Sequence, residues 1–200
     1  GPPLPPDGLS ITIAADNVVM HPVDGMPAVR EADLAARVTG RTATVKVGQA
    51  SAVTPGGRKL ALSEAVFEVP DLVPKPPPSR LRFRVDGQVA AALEVLNSER
   101  IAGFAGTPID PATSKGTVAA RVTLGMPVQG VLTEADTTYA ISADVTGFAA
   151  DKLALNQKVE ANSLKITASN EGVQAKGDIK VGGQAGTLDY RRAKGSDDAD

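Results

Sequence analysis

The chain has 200 residues, 42% of them hydrophobic, with a formal net charge of −2 and a pI near 5.5. A mixed, slightly acidic surface is a poor neutraliser of phosphates, which argues against nucleic-acid binding. The absence of cysteine excludes a disulfide framework, a thiol nucleophile and a Cys-based metal centre.

The apolar fraction is unusual in kind. Only four Phe and two Tyr are present, with no Trp, against 20 Gly and 15 Pro. Aromatic side chains bury about 150–250 Å² each and dominate ordinary cores, so this chain is expected to have a thin core or an apolar surface spread along a sheet. Turns are expected to be frequent. No apolar run approaches the ~20 residues of a membrane span, and no signal peptide is evident.

In chain order, residues 1–8 form a Pro- and Gly-rich lead-in, with Gly1-Pro2 read as a protease-cleavage scar. Leu9, Ile11 and Ile13 alternate with polar residues as a first strand, continued by Val18 to Met20. His21-Pro22 and Asp24-Gly25 mark a turn. Ala32, Leu34, Ala36 and Val38 alternate as a second strand and, across Gly40-Arg41, pair with Ala43, Val45 and Val47 as a hairpin. Separate strands follow around Gln49–Thr54, Leu60–Leu62 and Glu64–Val69, with Pro55-Gly56-Gly57 as a turn. Prolines 70, 74, 76, 77 and 78 form a seam over 71–79, the best internal boundary between an N-terminal β part (9–70) and a strand-helix-strand part (80–190).

Arg80 to Val85 reads as a strand with Leu81, Phe83 and Val85 on one side and Arg80, Arg82 and Arg84 on the other. Val89, Ala92, Leu93 and Leu96 recur at helical spacing, predicting a helix over 88–97, and a second short one at Ser98–Gly103. From Lys115 to Tyr190 the period is two again. Val118, Ala120, Val122 and Leu124 are followed by Tyr139, Ile141, Ala143 and Val145. Leu164, Ile166 and Ala168 then precede Val173 and Ala175. Met126-Pro127, Thr133–Asp136 and Ala149–Asn156 read as connections, and Gly182-Gly183 as a hairpin turn between Ile179/Val181 and Leu188/Tyr190. Residues 191–200 read as a truncated tail. The whole is expected to be mainly β: an elongated, curled antiparallel sheet with one or two short helices near residues 88–103.

Chemistry is hard to find in this pattern. His21 is the only histidine and lacks acidic partners at ligand spacing, so it reads as a turn residue. No nucleophile elbow, P-loop, dinucleotide fingerprint or zinc-protease motif is present. Gly182 to Gly186 is glycine-rich but opens no helix, which a phosphate cradle needs. Asp33, Glu64 and Asp144 read as wet-face residues of their strands. Neither an enzyme activity, a metal nor a cofactor is expected. The stripe Arg80, Arg82, Arg84 has two readings: guanidiniums for lipid headgroups, or outer-face charges that keep the sheet soluble.

The dry faces also have two readings. They form the packed interior of a structural or protein-binding β-sandwich, or they stay uncovered and bind something apolar. A ten-residue helix spans about 15 Å, whereas ten or so strands extend roughly 45–50 Å.

The residues from Ala61 to Asp71, then Gly116–Leu124, Tyr139–Phe148 and Gly177–Gly183, resemble the AsmA-like superfamily. Within it the chain is similar to the large YhdP/TamB-type proteins in a version associated with alphaproteobacteria, from about Ala43 to Tyr190. The resemblance implies an internal segment of a protein anchored in the inner membrane of Gram-negative bacteria. Such a protein extends through the periplasm as a β-groove that carries phospholipid towards the outer membrane. The implied partners are phospholipid and the remainder of a longer chain, with membrane contact through other parts of that chain. On this reading Leu81, Phe83, Val85, Val118, Val122, Tyr139, Ile141, Val145, Leu164, Ile166, Val173 and Ile179 line the groove, and Arg80, Arg82 and Arg84 meet headgroups. The family implies no catalytic residues.

Overall fold

Ten strands join in chain order into one antiparallel sheet, β1 to β10, in which each strand bonds only its sequence neighbours. The computed structural model describes residues 9–20, 28–97, 109–129, 136–154 and 156–193. The strands are β1 (Ser10–Met20), β2 (Val29–Thr39), β3 (Ala43–Val53), β4 (Lys59–Val69), β5 (Pro78–Gln88), β6 (Ser114–Pro127), β7 (Thr138–Ala154), β8 (Gln157–Ser169), β9 (Gly172–Val181) and β10 (Gln184–Ala193). Among the described residues one helix, α1 (Val89–Leu96), follows β5, and a single 3-10 turn at Pro111–Thr113 precedes β6. The sheet is not closed: β1 and β10 are its free edges.

Several expected breaks in the chain are absent. Gln49–Thr54 is not a separate strand: all but its last residue continues Ala43–Val47 within β3. Leu60–Leu62 and Glu64–Val69 are likewise one strand. Met126 and Pro127 lie in the ladder, opposite Ser79 and Pro78, and β7 runs on to Ala154 where a connection was expected from Ala149.

The common cause is the β-bulge, an extra residue that changes which side of the strand faces the core. In β3 the more buried positions step from Val45 and Val47 to Ala50 and Ala52, a shift of three instead of two. In β4 they step from Leu60 and Leu62 to Ala65 and Phe67, with Glu64 at φ +53° and a register shift against β5 between Ser63 and Val66. In β7, Val145 and Phe148 are both buried because Gly147, at φ +62°, absorbs the extra residue. Asn17 and Glu31 hold the same left-handed conformation in β1 and β2. Each bulge bends its strand and increases its right-handed twist, so a sheet carrying them on five strands curls.

The Pro-rich seam is the β4–β5 connection, and the two strands it joins pair from Leu60↔Gly87 to Glu68↔Arg80, with the bulge between Ser63 and Val66 as the one register shift. Gly182 and Gly183, at φ +55° and +84°, make the expected two-residue hairpin, with Val181 opposite Gln184. The helix begins and ends within a residue of the expected 88–97. Residues 1–8, His21, the stretch Ser98–Gly103, residues 133–135 and residues 194–200 lie outside the described residues.

Packing is thin, as aromatic poverty implies. Of the fifteen buried apolar residues among those described, eight are alanines. The one buried cluster joins Val89 of α1 to Val145, Phe148, Ala150, Val159, Ala161 and Leu164, with Leu93, Val118 and Ile179 packed against it. The helix therefore lies on one end of one face. That face is called inner below.

Candidate functional site

Antiparallel register aligns the inner-face residues of successive strands into rows that cross the sheet. One row runs Ile13, Ala36, Val45, Phe67, Leu81, Leu124, Tyr139 over seven strands. A second runs Ala50, Leu62, Val85, Ala120, Ala143, Ile166, Ala175, Tyr190 over eight. Between them lies Phe83, Val122, Ile141, Ala168, Val173, Arg192. Beside the helix runs Val29, Ala52, Leu60, Gly87, Val118, Val145, Leu164.

All twelve residues expected to line a groove share this face. Eleven stand in these four rows, and Ile179 packs against the buried cluster at the helix end. Their burial divides them. Val145 and Leu164 are 5% and 6% exposed beneath the helix-side packing. Leu81, Phe83, Val85, Val122, Ile141 and Val173 are only half-buried. A geometric estimate explains the difference: the eight residues of α1 cover about 12 Å by 10 Å. Ten strands of about eleven residues present roughly 43 Å by 36 Å. The helix shields under a tenth of the face. Among the described residues no second sheet is present.

The helix is pinned at a defined place. The Glu94 carboxylate accepts from Thr54 Oγ1 and Arg58 Nη1 and, at 3.2 Å, from the Gly56 N–H. These donors all belong to the β3–β4 turn, so one carboxylate ties α1 to strands thirty to forty residues away. Glu94 is well suited to this because its side chain is only 14% exposed and its charge is matched by Arg58. At the other end Asn97 Nδ2 donates to the Ile109 carbonyl at 3.0 Å.

Arg80, Arg82 and Arg84 lie on the opposite, outer face, in register with Glu68, Thr123 and Arg121 and away from the apolar rows. Arg84 makes two hydrogen bonds to Asp86, at 2.8 and 3.1 Å, and Arg82 approaches Glu68 at 3.7 Å. The Arg84 guanidinium holds the Asp86 carboxyl below its ordinary value. The stripe thus stands one sheet thickness from the apolar rows.

Asp33, Glu64 and Asp144 are also on the outer face, on β2, β4 and β7, two or three strands apart, or roughly 10–14 Å. They form no carboxylate pair. An open depression of about 610 Å³ near Arg58, Asp86 and Asp144 holds opposite charges side by side without a nucleophile-base arrangement. Among the described residues no group of acidic or histidine side chains could hold a metal ion.

The sequence reading passed over Arg192. It is the only charged residue in the four rows, and its signal was available: Leu188, Tyr190 and Arg192 continue the period of two. Compared with known proteins, the chain matches no family model, no curated protein and no solved structure.

Proposed function

We propose that this chain is a segment of a periplasmic, inner-membrane-anchored protein that carries phospholipid towards the outer membrane, acyl chains lying on the inner face of the sheet. The observation that carries the reading is the set of uncharged rows crossing seven or eight strands, left half-exposed by a helix too small to cover them. A soluble monomer rarely leaves so extended an apolar surface without an occupant. The wall is built mainly from Ala, Val, Leu and Ile, with Phe67, Phe83, Tyr139 and Tyr190 spread over three rows, which offers acyl chains apolar contact along its length. Such a wall suits movement along the rows. The chain makes and breaks no bonds on this reading. The cellular setting comes from the likeness of Ala61–Asp71 and Gly116–Leu124 to the AsmA-like superfamily.

The alternative, a structural or protein-binding module with a packed apolar face, needs a second layer that the described residues do not supply. Native mass spectrometry of the purified chain, with lipid extraction, separates the two readings. Co-purifying diacyl lipid, lost on Ile141→Asp, is the expected result. A lipid-free chain that also fails to take labelled phospholipid from vesicles would sink the proposal.

A further inference from the structure

Arg192 ends one of the apolar rows on the edge strand β10, directly beyond Val173, Ala168 and Ile141. It is half-buried, and no described residue forms an ion pair or hydrogen bond with its guanidinium. Its neighbour Arg191 faces the other way and is held by Asp189 at 3.3 Å. The same end of the row meets an open depression of about 610 Å³ at the sheet edge, whose lining includes Ile141, Ala168, Val173, Gln174, Arg191 and Arg192. An unpaired guanidinium at the end of an apolar row, with the Asp189-paired Arg191 at the same rim, matches an amphiphile with an anionic head.

We infer that Arg192 anchors the phosphate of a diacyl phospholipid whose acyl chains lie along the row towards Phe83. The inference rests on the lipid-path reading and adds the headgroup chemistry to it. Guanidinium presents a fork of N–H donors that fits two phosphate oxygens at once, and such charge-assisted bonds are the strong ones. Glu171, at the β8–β9 turn, also lines the depression and is not paired with Arg192. Its carboxylate disfavours a second negative charge, so a singly charged phosphodiester suits the place better than a phosphomonoester.

The test compares fluorescent phosphatidylglycerol with fluorescent diacylglycerol, each offered to the chain in phosphatidylcholine vesicles. Wild-type protein is expected to take up the phosphate-bearing lipid about tenfold better than the neutral one. Arg192→Gln should abolish that preference and leave diacylglycerol uptake unchanged, while Arg192→Lys restores part of it. Arg82→Gln, on the outer face, should behave as wild type. An inward charge on an edge strand can also serve to prevent edge-to-edge pairing. Arg192→Glu addresses this, because it keeps a charge at the edge and repels phosphate. A monomeric Arg192→Glu that has lost the phosphate preference supports the inference. Equal preference in wild type, Arg192→Gln and Arg192→Glu overturns it and leaves the lipid path standing. Uptake of neither lipid by the wild type overturns both.

Discussion

Replacing Ile141 by Asp separates a working surface from a packed core. Ile141 sits mid-sheet on β7 between Val122 and Ala168, half-buried, with no helix above it. Full burial of an isoleucine is worth about 1.5–3 kcal/mol. A mostly buried one that still touches solvent loses about 1–2 kcal/mol of that, and the poor strand propensity of Asp adds up to about 1 kcal/mol. The new carboxylate keeps water on its open side, so the larger penalty of a desolvated charge does not apply. A total near 2 kcal/mol lowers Tm by about 4–8 °C in a chain of this size. Val145→Asp, two rows nearer the helix and 5% exposed, buries the charge outright, costs several kcal/mol and is expected to unfold the sheet end under α1. Calorimetry gives the stability of both variants, and uptake of labelled phospholipid from vesicles gives the function. Ile141→Asp should remain folded and lose uptake at least tenfold, since an acyl chain would have to desolvate the carboxylate. Two results refute the reasoning: unfolding of Ile141→Asp as complete as that of Val145→Asp, or a folded variant with undiminished uptake.

Three further outcomes follow from the geometry. Glu94→Ala leaves Thr54, 3% exposed, and the Arg58 guanidinium without their shared acceptor, at a cost of about 2–3 kcal/mol. Hydrogen exchange should quicken in Val89–Leu96 while the β5–β6 ladder stays protected. Gly147→Ala meets no neighbour but must hold φ +62°, costing about 1 kcal/mol. Gly116→Ala also brings Cβ within 2.8 and 2.9 Å of the Thr146 and Gly147 carbonyl oxygens and should lower Tm further, which parallel melts will rank. The third outcome concerns pH. Asp71 is lowered by the Val73 N–H and Arg41, Asp86 by Arg84 and Glu160 by Lys158. Depressed carboxylates stabilise above their unfolded range, about pH 4, and that contribution disappears as pH falls through the folded values. Lys158, raised by Glu160, contributes below its unfolded value and stops doing so as pH rises through the folded one. Urea midpoints should be flat from about pH 5 to 9 and decline outside it. The decline should weaken in 1 M salt because all four groups are exposed. A step inside the flat range would contradict this.

Much of the architecture was legible in the residues alone. Period-two alternation from Val118 to Ala175 identified strands and sorted their faces, because adjacent side chains on a strand point to opposite sides. The helix at Val89–Leu96 was legible from its 3.6-residue recurrence, and the Gly182-Gly183 hairpin from residues that tolerate positive φ. The bulges were not legible. Gly48, Glu64 and Gly147 interrupt the alternation just as a loop would, and only ladder pairing with a neighbouring strand distinguishes an extra residue from a break. For that reason alternation alone divides β3 and β4 in two and makes a connection of the end of β7. The apolar face follows the alternation, so all twelve expected residues lie on one side of the sheet. Its coverage does not, because burial depends on where α1 docks, and that is decided by Glu94 meeting a turn forty residues earlier. The charges divide in the same way. A triplet of arginines on β5 is conspicuous in one dimension, whereas Arg192 stands out only once the sheet places it at the end of an apolar row. Local periodicity determined which residues share a face; register, bulges and helix docking decided which face stays open and which cation lies on it.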